Sequence, residues 1–131
     1  MNPAKYGIKR VVKLSYEKTV QKVTETLKEQ GFGILTEIDV KATLKKKLDE
    51  DIKPYIILGA CNPKLALHAL TEEPDIGLLL PCNVVVYQDD NDDTVLGAID
   101  PAVMVQITGR DDLDDFASSV KQKLTAALDA V

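Results

Sequence analysis

A chain of 131 residues and 14.3 kDa, 45% hydrophobic and 28% charged, has the size and balance of one globular domain and excludes two separate cores, a fibrous chain or a disordered one. Its net charge of −5 and an aromatic set of two Phe, four Tyr and no Trp lack the basic stripe and stacking platforms of a nucleic-acid binder. The longest apolar run, Ile76 to Tyr87, is interrupted by Pro81 and Asn83 and falls short of the roughly 20 residues that cross a bilayer, so no membrane partner is expected.

Met1 to Arg10 has no apolar segment behind its charges, which argues against a secretory signal and makes the cytoplasm the expected compartment. Ile8 to Leu14 reads as a first strand, after which Ser15 offers a helix N-cap with Glu17 in the first turn. Tyr16, Val20, Val23 and Leu27 recur at four, three and four residues and line one face of a helix that Gly31 ends. Phe32 to Ile38 reads as a second strand, and Asp39 caps a short connecting helix with Val40, Leu44 and Leu48 on one side. Pro54 opens a third strand, Tyr55 to Ala60, apolar enough for the middle of a sheet. Asn62 as N-cap and Pro63 at the first helical position start a short helix reaching about Thr71. A fourth strand is expected from Gly77 to Tyr87, bent or bulged at Pro81, which cannot donate to a ladder. The acidic run Asp89 to Asp93 turns the chain into a fifth strand, Thr94 to Ile99. Asp100-Pro101 caps one short helical turn, and beyond Gly109 a last helix carries Leu113, Phe116, Val120, Leu124, Leu128 and Val131 at spacings of three or four.

Two amphipathic helices each need an apolar surface to bury one stripe, and a sheet of five strands offers one face large enough for both. The expected fold is a single α+β domain over residues 1–131: two layers, a five-stranded mainly antiparallel sheet, both long helices on one face, and short helices in the connections.

The segment Gly59-Ala60-Cys61-Asn62-Pro63, with Leu65, Ala66, Ala69 and Leu70 behind it, resembles the bacterial and archaeal proteins of domain-of-unknown-function family 302. The likeness continues through Gly77 to Tyr87 and through Gly31-Phe32-Gly33 followed by Glu37-Ile38-Asp39-Val40-Lys41, so it covers most of the chain. The resemblance implies a small stand-alone cytoplasmic protein with a TATA-binding-protein-like β-α-β4-α order, associating as a homodimer. It implies no reaction, and any cofactor is left unknown.

The charge is uneven: residues 1–54 carry 12 Lys/Arg and 8 Asp/Glu, whereas residues 55–131 carry 4 and 13. Such a chain satisfies itself within the fold or by pairing two protomers, and neither outcome names a ligand. Cys61 stands where a strand runs into a helix N-terminus, a place where amide dipoles can lower a thiol pKa and support sulfur, redox or soft-metal chemistry. The bland reading makes it a small hydrophobe at a strand end. Cys82 reads more simply as a core thiol beside Pro81. Each thiol precedes an asparagine, and Cys61, Asn62, Cys82 and Asn83, together with Glu37, form the candidate ligand or thiol site. If the third and fourth strands are neighbours, Cys82 stands several residues from the point opposite Cys61, at about 3.3 Å per residue, and the thiols are not expected to touch.

His68, the single histidine, falls outside the buried arc of its helix and reads as a surface residue. Asp89, Asn91 and Asp93 give a partial calcium-loop pattern that lacks the glycine at position six, the glutamate at position twelve and the flanking helices. Glu37 and Asp39 could form a carboxylate pair, although Asp39 is more simply a helix cap. The leading expectation is a small homodimer that binds a small ligand or soft metal, or carries sulfur or redox equivalents, around Cys61. The alternative is a protein-interaction module with inert core thiols, and a third reading gives Glu37 an enzymatic role.

Overall fold

The computed structural model describes residues 5–131. Its first half runs β1 (Gly7–Val12), α1 (Tyr16–Glu29), β2 (Gly33–Asp39), α2 (Val40–Leu48) and β3 (Tyr55–Cys61). Then follow α3 (Pro63–Glu72), a 3₁₀ segment (Pro74–Leu79), β4 (Cys82–Gln88), β5 (Thr94–Ile99), α4 (Ala102–Thr108), a 3₁₀ turn (Asp111–Leu113) and α5 (Asp114–Asp129). The strands form one antiparallel sheet in the order β1-β5-β4-β3-β2.

Local chemistry sets the element boundaries. Ser15 caps α1 by accepting from the Lys18 amide, and Gly31 at φ +87° ends it. Asp39 accepts from the Ala42 amide at 2.9 Å and starts α2. Asp100 accepts from the Ala102 amide at 3.0 Å, and the helix it opens runs seven residues, longer than the single turn expected.

Alternation along the strands divides the sheet into two faces. Leu58, Val84, Val86 and Leu96 turn towards α1 and α5, whose Val23, Leu27, Val120, Leu124 and Leu128 complete the core. Each such fully buried side chain stabilises the fold by about 1.5–3 kcal/mol. The opposite, open face carries the row Ile38, Ile57, Val85, Gly97 and Lys9 across all five strands, with Tyr55, Tyr87 and Val11 beside it. Tyr55 and Tyr87 stack there with ring centroids 5.0 Å apart.

One element differs from expectation. Gly77 to Leu80 does not extend the fourth strand: Pro74–Leu79 coils as a 3₁₀ segment, the Leu80–Pro81 peptide is cis, and β4 begins at Cys82. The apolar run that reads as a buried strand instead packs Ile76 inwards and walls a cavity. Among the described residues no helix is long and apolar enough to cross a membrane.

Candidate functional site

Where β3 ends at Cys61 and β4 begins at Cys82, α3 and the 3₁₀ segment leave the sheet as an arm and rejoin it. Between this arm, the sheet and the helices α4 and α5 lies a cavity of about 310 Å³. It exists because small side chains face one another across the gap: Ala60 on β3, Ala66 and Ala69 on α3, and Ala117 on α5. Ile76, Met104 and Phe116 supply larger apolar walls, and among the described residues no charged side chain lines it.

Both cysteines are among the residues that line this space. The ladder pairs Cys82 with Ala60, so Cys82 sits one residue, not several, from the point opposite Cys61. The larger separation expected from the sequence came from starting the fourth strand at Gly77. The two cysteines are unbridged, Cys61 half-buried and Cys82 buried. Burial pushes the Cys82 thiol up to about 11, and the neighbouring Cys61 pushes in the same direction. At neutral pH Cys82 is therefore a neutral thiol, and it is the thiolate that serves as metal ligand or nucleophile.

Asn62 lines the cavity where β3 passes into α3. Its Oδ1 accepts from the Leu65 amide at 3.3 Å, capping α3, and its Nδ2 donates to the Gln30 carbonyl at 3.5 Å. A Cβ on Gly31 would stand 2.8 Å from that nitrogen, so this contact depends on glycine as much as the positive φ does. A second close approach occurs at Gly59, where a Cβ would stand 2.8 Å from the Pro81 ring and closer still to the Thr36 hydroxyl.

The structure brings together Cys61, Asn62 and Cys82 and leaves the other two candidates elsewhere. Asn83 pairs with Gly59 and is exposed on the open face, because alternation turns it away from Cys82. Glu37 is exposed on the edge strand β2, and Asp39 is occupied as the α2 cap. His68 is exposed, its ring 5.0 Å from that of Phe116. Asp89 Oδ1 accepts from the amides of Asn91 and Asp93, and Lys53 bonds the Asp89 carbonyl and Asp92, which makes the acidic run a closed hairpin turn. Among the described residues no three His, Cys, Asp or Glu side chains cluster as a metal site.

Sequence reasoning missed the walls from α4 and α5. The available signal was the set of alanines at helix positions where a packed stripe would carry larger residues.

The model of the family described as "Domain of unknown function DUF302" matches residues 8–131. The chain is also similar to a solved structure, described as the crystal structure of uncharacterized conserved protein DUF302 from Bacillus stearothermophilus. The two are 31% identical with a TM-score of 0.90, over 97% of this chain and 98% of that one. No curated protein matches.

Proposed function

Starting from the fact that this chain belongs to the DUF302 family, whose function is unknown, we propose that it binds a small, uncharged, apolar molecule in the cavity between the arm, the sheet and α5. The observation that carries this reading is a ligand-sized space without a charged wall. Its 310 Å³ lies at the lower end of the roughly 300–1,000 Å³ typical of ligand pockets. Apolar cavities of about 150 Å³ already take up benzene-sized guests. A charged ligand would lose its hydration against these walls without gaining a partner, which selects against ions and acids. The cysteines offer soft, polarisable contacts at one side, and Asn62 keeps its amide for its bonds to Leu65 and Gln30.

The test uses N-phenyl-1-naphthylamine, an uncharged probe whose emission rises in apolar surroundings. Saturable enhancement at micromolar probe is expected, and Ala66→Phe, which fills the space, should remove it while leaving the unfolding free energy from urea titration within about 0.5 kcal/mol of the parent. A probe that binds neither protein, or both equally, would sink the reading.

A second observation concerns the open face. Ile38 and Val11 are 47% and 55% exposed there, and among the described strand residues Lys9 is the one charged side chain on that face. We propose that a second copy of the chain covers it. A two-fold axis through the Ile57–Val85 centre lays the apolar row on its mate and sends the two Lys9 ammonium groups to opposite ends. The free thiols favour a working environment that keeps cysteine reduced, the cytoplasm.

A further inference from the structure

The arm of residues 63–79 is joined to the sheet only at its ends, through Asn62 and Leu80. Along it Ala69 and Ile76 are the fully buried side chains and Leu65 and Leu79 are half-buried against the core, whereas Leu67 and Leu78 are 70% and 87% exposed. A segment that buries so little apolar surface opens at a lower free energy than the sheet and the long helices around it. Across the cavity stands the α4–α5 corner; the 3₁₀ part of the arm packs against α4, and two side-chain contacts tie the end of the arm around α3 to the corner. His68 of α3 rests its ring against Phe116 of α5. Arg110, just beyond α4, holds Asp112 with two nitrogens, Nη2 to Oδ2 at 2.6 Å and Nε to Oδ1 at 3.2 Å.

With its fork fixed in this way, Arg110 donates from Nη1 to the Glu72 carbonyl at 2.6 Å. That carbonyl belongs to the last turn of α3, where helix carbonyls lack a partner within the helix and the dipole favours a cation. The Glu72 and Glu73 carboxylates stand 3.8 and 3.7 Å from the guanidinium, completing an acidic collar at the end of the arm. Asp112 holds the guanidinium on the α5 side while Glu72 and Glu73 hold it on the arm side, so one side chain spans the boundary between the two walls.

We propose that the arm is the gate of the cavity and that Arg110 is the latch that keeps it closed. This inference rests on the ligand-binding reading and adds its regulation: a guest enters and leaves by swinging residues 63–79 away from α5, with the Arg110–Glu72 contact broken in the open state. A latch made in both the free and the loaded protein slows entry and exit together, so it sets rates and leaves affinity nearly unchanged.

Stopped-flow fluorescence with N-phenyl-1-naphthylamine tests this on the full chain. In Arg110→Gln the association and dissociation rates should both rise, by about five-fold for the loss of two long, exposed ion pairs and one charge-assisted hydrogen bond, with Kd within about two-fold of the parent. Amide exchange over residues 63–79 should quicken by a similar factor while exchange in β4 stays unchanged. Asp112→Asn, which frees the fork without removing the guanidinium, should give the same pattern and serves if Arg110→Gln does not fold. Unchanged rates with intact probe binding, or a change confined to one of the two rates, would overturn the gate and leave the cavity reading standing. Absence of probe binding to the parent chain would overturn the cavity reading itself.

Discussion

The Cys82 thiol is 6% exposed at the start of β4, and this burial moves its pKa from 9.0 to about 11. Below about pH 9 the thiol is protonated in the folded and unfolded chains alike, so the stabilisation is fully present. As pH rises through 9 the unfolded chain gives up its proton first, and stability falls until the folded thiol also titrates near 11. A shift of this size corresponds to about 2–3 kcal/mol across the window. Tyr16 and Tyr55 are raised by burial as well, and their contribution falls in the same direction as pH rises through 10, so the informative quantity is a difference. Urea unfolding of the parent and of Cys82→Ala between pH 8 and 11 should show the parent losing stability more steeply. Parallel profiles would mean that Cys82 titrates normally. At this scale the candidate site was partly legible: a cysteine at a strand end and an asparagine before a proline are recognisable by type. Arg110 was not, because its importance lies in reaching Glu72, 38 residues away in the chain.

At the scale of elements, the caps carried most of the legible signal. Ser15, Asp39 and Asn62 each accept the amide hydrogen bond their residue type implies, and the fold expected from the periodicities is the one observed. The arm was misread where pattern and punctuation disagree. Ile76 to Leu80 is apolar throughout, and a continuous apolar run cannot by itself separate a buried strand from the wall of a cavity. Pro74 and Pro81 bracket that run, and the ladder starts only after the second. Starting the strand too early also displaced Cys82 from Cys61, so one boundary error hid the site geometry. The cap at Asn62 gives a direct prediction for this element. Asn62→Ala leaves the Leu65 amide without its acceptor and the Gln30 carbonyl without its donor, and should cost about 1 kcal/mol. Hydrogen exchange should accelerate first at the opening turn of α3, residues 63–66, and not in α1. Uniform acceleration across the chain would show that Asn62 supports the whole fold and not the arm.

On the scale of the whole molecule, the two sheet faces have been given different tasks by alternation alone. One buries the aliphatic core under α1 and α5, and the other sets out Ile38, Ile57 and Val85 in a row that faces away from those two helices. Self-pairing on that row would place the arm and its cavity on the outside of the assembly, because they lie on the helix side of the sheet. Ligand exchange and self-association are then separable, and a single charge should divide them. Val85 stands near the middle of the open face, half-buried between Ile57 and Gly97. In Val85→Lys the ammonium can extend into water from the free chain, whereas a two-fold interface would bring two such groups together near its axis without counter-ions. Sedimentation equilibrium of the parent chain should therefore report twice the 14.3 kDa chain mass, and Val85→Lys should report 14.3 kDa with an unchanged circular dichroism spectrum. The variant should still bind N-phenyl-1-naphthylamine with the parent Kd. A parent chain that sediments as a monomer would remove the self-association reading, and a Val85→Lys protein that remains dimeric would move the interface off this face.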